Sequence, residues 1–188
     1  MTNSFSITRI FDAPRELVFA AWTEPAQFAR WFGAANDVPL ETVSLDVRPG
    51  GKWSVIMHVD PAPTTLPFHG EYREVVPPER LVLTLKNPFD PNDPQVELVT
   101  VVFNDLGGKT EMLFTQEGHL GAEEYIRTKE GWSQFFDHLA GGCRAAESPV
   151  KESCGAGSPD TGSPGAKSPG AGTPQPSSAP ESRGRRTE

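Results

Sequence analysis

The chain reads as an α+β domain with an antiparallel sheet of about seven strands, two short helices after the first strand and one long C-terminal helix. Three observations predict it. An aromatic-rich stretch with helical spacing, FDAPRELVFAAWTEPAQFARWFG, follows a first alternating run. Six further extended runs are then divided by Pro, Gly, Asp and Asn turns, and apolar residues return to helical spacing after Gly118.

SFSITRIF alternates, with Phe5, Ile7 and Arg9 on one face and Ser6, Thr8 and Ile10 on the other, as a strand with one buried face does. Pro14 suits the first turn of a helix, where its missing N–H costs nothing, and Leu17, Val18, Ala21 and Trp22 follow as one stripe. Thr23 is expected to cap a second short helix holding Pro25, Phe28, Trp31 and Phe32, which Gly33 ends. From Glu41 to Glu117 the extended runs are TVSLDV, KWSVIMHV, FHGEYREV, RLVLTL, VELVTVVF and KTEMLFT. Their short connections, PGG, Pro77-Pro78 and Gly107-Gly108 among them, imply an antiparallel meander. Ile126, Trp132, Phe136, Leu139 and Cys143 then form the expected apolar stripe of a last helix, with Glu123 and Glu124 near its favourable positive end. About 25 residues at ~1.5 Å rise make roughly 37 Å, enough to cross the sheet.

Composition sets the division of the chain. At 188 residues and 36% apolar content one ordinary domain fits, expected over residues 1–147. Residues 148–188 hold 7 Pro, 7 Gly and 8 Ser with no aromatic residue, too little apolar area to offset the entropy of ordering, so a disordered tail is expected. Proline there recurs every five residues, at Pro159, Pro164, Pro169 and Pro174, as in an extended linker or tail. Removing the tail's five basic and four acidic residues from totals of 17 and 25 leaves 12 and 21, a net of −9 for the folded part. Such an acidic surface argues against nucleic acid and anionic membrane as partners. Cys143 and Cys154 fall in a helical pattern and in the tail, no run of 18 apolar residues occurs, and the N-terminus lacks a signal-peptide pattern, so the expected location is the cytoplasm.

Chemistry-bearing motifs are sparse. The sequence has no phosphate-binding loop, zinc-protease, serine-hydrolase or paired CxxC motif, and no metal or cofactor is expected. His58 and His69 lie on consecutive strands and are weak acid–base candidates, each with a solvated side chain as the plainer reading. Glu97 shares the phase of Val99, Val101 and Phe103, and Gln116 that of Met112 and Phe114. A carboxylate at the mouth of an apolar cavity could act as an acid or base, but the plainer expectation for Glu97 is a strand end in water. Trp53 shares a face with Val55 and Met57 and suits either core or pocket lining.

Several strings in order, namely FDAPRELVFAAWTEPAQFARWFG, DVRPGGKW, HGEYREVVPPERLVLT, VTVVF with GGKTEMLF, and EGWSQFFDHLA, cover roughly Ile7 to Leu139. Together they resemble the START-like SRPBCC superfamily, and within it the bacterial proteins similar to the C-terminal domain of the activator of heat shock protein 90 ATPase. The resemblance implies a helix-grip fold, a curved sheet wrapped around the last helix. It also implies an internal cavity for a small hydrophobic or aromatic molecule, with Phe19, Trp22, Trp31, Trp53, Met57, Trp132 and Phe136 as candidate lining and Ser133 and Lys129 as candidate polar contacts. Other members are polyketide cyclases or act on a chaperone, so an enzyme and a chaperone-binding or other interaction protein are the alternatives. No catalytic residue carries over from the resemblance.

Overall fold

The computed structural model describes residues 3–59, 64–90, 92 and 94–146. Strand β1, Asn3–Phe11, leads through Pro14 into helices α1, Arg15–Thr23, and α2, Pro25–Trp31. A single 3-10 turn, Leu40–Thr42, precedes the meander β2 Ser44–Leu45, β3 Lys52–Val59, β4 Thr64–Val76, β5 Arg80–Leu85, β6 Glu97–Asp105 and β7 Thr110–Gly118. Helix α3 runs from Ala122 to Ala146. The seven strands form one curved antiparallel sheet in the order β1-β7-β6-β5-β4-β3-β2 with α3 packed on it, a helix-grip architecture.

Period-two alternation decides which face is inside. Along β6 buried and half-buried residues alternate, and Val99, Val101 and Phe103 point to the core. Register aligns Val101 with Phe114 and Phe103 with Met112, so inward side chains of neighbouring strands meet. The two helices of the opening stretch close one end of this face. There Trp22 lies 4.8 Å from Trp31 and stacks 6.2 Å from Trp132, while Phe114 and Trp132 are 4.6 Å apart between ring centres, spacings at which aromatic pairs add to area burial. Arg9, on the inward phase of β1, reaches α3, pairing with Asp137 at 2.8 Å and donating to Ser133 O at 3.3 Å. It fastens the helix to the edge strand.

Four local expectations are corrected. Thr23 completes α1 and donates from Oγ1 to Phe19 O at 3.0 Å, leaving Glu24 at the start of α2. Leu17 is 40% exposed, because the face α1 buries is Val18, Phe19, Ala21 and Trp22. Ile126 is 62% exposed, and the α3 stripe starts one residue earlier at Tyr125, from which Trp132, Phe136, Leu139 and Cys143 follow at core-facing intervals. Finally, β2 keeps only two residues of TVSLDV, while β4 begins at Thr64 and takes in Pro67, where it pairs with β3 but not yet with β5. Proline is accommodated where one side of the strand is open.

Gly33 ends the opening stretch at φ +92°, where a Cβ would also sit 2.8 Å from Val38 Cγ2. Only glycine fits both conditions. Among the described residues no helix is long and apolar enough to cross a membrane. The expected tail, Cys154 and the boundary at 147/148 lie outside the described residues.

Candidate functional site

Between the sheet and the N-terminal half of α3 lies a cavity of about 520 Å³. Met57, Leu66 and Phe68 of β3 and β4 form one wall, and Leu85 with Phe89 of the following loop a second. The helix contributes Arg127, Gly131, Trp132 and Phe135. Glu97 and Gln116 bring polar atoms into this lining.

Of the seven lining candidates, Met57 and Trp132 border this cavity. Trp22, Trp53 and Trp132 border a second, much smaller void of about 10 Å³. Trp53 donates Nε1–H to Thr84 O at 2.9 Å, and Trp31 donates to Ala21 O at 2.8 Å, so each indole is held inside the core. Phe19 packs edge-on to Phe103 at 5.6 Å, and Phe136 lies between Phe114 and Trp132 with no exposure. Ser133 turns its hydroxyl to Lys129 O at 2.8 Å, and the helix's polar lining comes instead from Glu124, Arg127, Thr128 and Gln134. The open space thus lies one or two helical turns nearer the start of α3 than the aromatic cluster.

Glu97 overturns the solvated expectation. It is 1% exposed, and its carboxylate is the hub of a buried network. Tyr125 Oη donates to Oε2, joined there by Gln116 Nε2 at 3.4 Å. Oε1 accepts the His119 backbone N–H at 2.9 Å and lies 2.9 Å from His119 Nδ1. Gln116 in turn accepts Trp132 Nε1–H at 2.9 Å. Three donors to its two oxygens satisfy the buried carboxylate, with the His119 ring beside Oε1. Tyr125 is held neutral, its pKa raised by burial first and then by the hydrogen bond to Glu97 and the charge on it. Burial, with the charge of Asp46, raises Tyr72 likewise.

Gly118 makes room for this hub. A Cβ there would fall 2.2 Å from Glu97 Oε1. We expect Gly118→Ala to lower the urea midpoint by the equivalent of about 1–3 kcal/mol with an unchanged slope, as overpacking in a core does. The sequence carried partial signals of the site: the shared phase of Glu97 and Gln116, and a Gly-His pair where the last strand ends. Tyr125 gave none, since Ile126 beside it fits an apolar stripe equally well.

The two histidines do not join this group. His58 is exposed, with Nδ1 3.6 Å from Asp37 Oδ2 and its backbone N–H bonded to Asp37 O. Register sets His58 opposite Thr65 and His69 opposite Ser54, four residue pairs apart, or roughly 13 Å along the ladder. Neither lines the cavity. Among the described residues no group of three His, Cys, Asp or Glu side chains is arranged to hold a metal ion.

The family model described as "Activator of Hsp90 ATPase homolog 1-like protein" matches residues 12–141. Protein CV1439 from Chromobacterium violaceum superposes with a TM-score of 0.66 at 26% identity, covering 75% of this chain and 96% of its own. A putative uncharacterized protein from Rhizobium leguminosarum gives 0.64 at 25%, covering 77% and 96%, and protein NE0264 from Nitrosomonas europaea gives 0.64 at 21%, covering 76% and 95%. The third likeness bears on the fold alone. No curated protein matches the chain.

Proposed function

We propose, from the premise that this chain belongs to the Activator of Hsp90 ATPase homolog 1-like family of the START-like superfamily, that it binds one small hydrophobic or aromatic molecule in the cavity beneath α3. The observation that carries the reading is the cavity itself. Its 520 Å³ falls within the ~300–1,000 Å³ range of small-molecule sites, and Met57, Leu66, Phe68, Leu85 and Phe135 give it apolar walls beside polar groups that can orient a guest. Trp132 in the lining supplies a reporter. Titration with the uncharged dye N-phenylnaphthylamine is expected to give a saturable one-to-one rise in dye emission, quenching of tryptophan, and a melting temperature that climbs with dye concentration. Absence of saturable binding, by the dye and by a panel of apolar metabolites alike, would overturn the reading.

A second reading, an acid–base enzyme of cyclase or hydrolase type, has one observation in its favour. Glu97 borders the cavity and His119 meets it at 2.9 Å, so two titratable groups converge at the edge of one pocket. Weighing against it, Glu97 already accepts three donors, and neither His119 nor Tyr125 lines the open space. A carboxylate so occupied is better suited to anchoring the start of α3 than to taking a substrate proton.

A further inference from the structure

The charges around the cavity are not balanced in what they leave available. Two carboxylates line it, and both are engaged from within: Glu97 by three donors, Glu124 by the Gly121 N–H at 2.8 Å. Two cations line it as well, Lys86 just past β5 and Arg127 on α3, and among the described residues neither has an ion-pair partner. Partners were at hand. Glu123, Glu124 and Glu130 stand four, three and three residues from Arg127 along the helix, spacings at which ion pairs form readily, in a chain whose net charge is −8. Elsewhere Arg9, Arg15, Arg48, Arg73, Arg80 and Lys109 each hold a carboxylate. Arg30, Lys52 and Lys129 are also without ion pairs among the described residues, but they do not border the cavity.

We infer that the cavity selects apolar molecules bearing one acidic group, such as an aryl or alkyl carboxylate, whose anion is received by Lys86 and Arg127. The inference rests on the cavity being the binding site. An anion fits better than a cation because the acceptors of Glu97 are already engaged by their donors, while the half-buried Lys86 ammonium and the exposed Arg127 guanidinium remain to donate charge-assisted hydrogen bonds at the rim of the cavity. The apolar body would lie against Phe135, Leu66 and Met57.

The test uses N-phenylnaphthylamine as reporter and a matched pair of competitors, naphthalene carboxylate and its amide. At low salt the carboxylate is expected to displace the dye about tenfold more readily than the amide, with the gap shrinking in about 0.5 M salt as screening grows. In the Lys86→Gln/Arg127→Gln double variant the gap should close, read as the ratio of the two competitors' displacement constants against the same dye so that any change in dye affinity cancels. Equal competition by acid and amide in the native chain, or a gap that survives in the double variant, overturns the inference and leaves the cavity reading intact. Failure of both the uncharged dye and the panel of apolar metabolites to bind the native chain removes the cavity reading itself.

Discussion

Gly131→Leu is expected to weaken N-phenylnaphthylamine binding at least about tenfold while raising the melting temperature by a few degrees. The two effects have separate causes at one position. Gly131 lines the cavity from α3, and a Cβ built there meets nothing within 4 Å, so a larger side chain enters the space a guest would occupy. Glycine inside a helix also costs about 0.5–1 kcal/mol relative to alanine, a cost leucine largely removes. For a domain of this size, about 1 kcal/mol corresponds to roughly 2–4 °C or somewhat more. Gly141→Ala supplies the control: it lies on the same helix, its Cβ likewise meets nothing within 4 Å, and it does not border the cavity. That change should raise stability and leave binding alone. If Gly131→Leu is stable and binds the dye as the native chain does, the cavity beneath α3 is not the site.

Why the sequence led to the fold more surely than to the site follows from what each depends on. Strand and helix positions depend on local periodicity, and KWSVIMHV and RLVLTL became β3 and β5 residue for residue because alternation and the flanking turn residues agree there. Where local signals conflict, position was lost. Thr23 was a good cap by type but was needed as the last residue of α1, and Ile126 was apolar but sits one residue, about 100° around the helix, off the buried stripe. The cavity is a harder case still. Its lining is set by where packing fails to fill space, and aromatic density alone does not mark that place, since Trp132 and Phe135 belong both to the ring cluster and to the lining. Trp22, Trp31 and Phe136 are where the interior is most densely filled with rings, whereas the open volume is bounded by ordinary residues such as Leu66, Leu85 and Thr128. Glu97 shows the same limit for polar groups. Its inward phase was legible, but its burial depended on donors 19, 22 and 28 residues away that only the fold brings together.

Those donors make Glu97→Leu the substitution with the largest expected loss of stability. Leucine resembles glutamate in size and suits the apolar surroundings, so the volume change is small. What it removes is the acceptor for Tyr125 Oη–H, Gln116 Nε2–H and the His119 backbone N–H, and each buried donor left without a partner costs about 1–3 kcal/mol. Some will find water from the cavity, which brings the expected total to about 3–5 kcal/mol, or a melting temperature lower by on the order of 10 °C. Glu97→Gln keeps one acceptor oxygen, and the Tyr125 hydroxyl can rotate to accept from the new amide, so its cost should lie between those of leucine and the native residue. A double-mutant cycle separates this network from simple loss of packing. Tyr125→Phe removes one of the orphaned donors, so it should cost about 1 kcal/mol or more in the native chain and nearly nothing beside Glu97→Leu, a coupling of about 1 kcal/mol read from urea midpoints. Additive effects, or a Glu97→Leu chain as stable as the native one, would show that the hub does not hold the start of α3 to the sheet. In that case the three hydrogen bonds are merely compatible with the fold, and the buried carboxylate would need another reason to be there, of which chemistry on a bound molecule is the first to test.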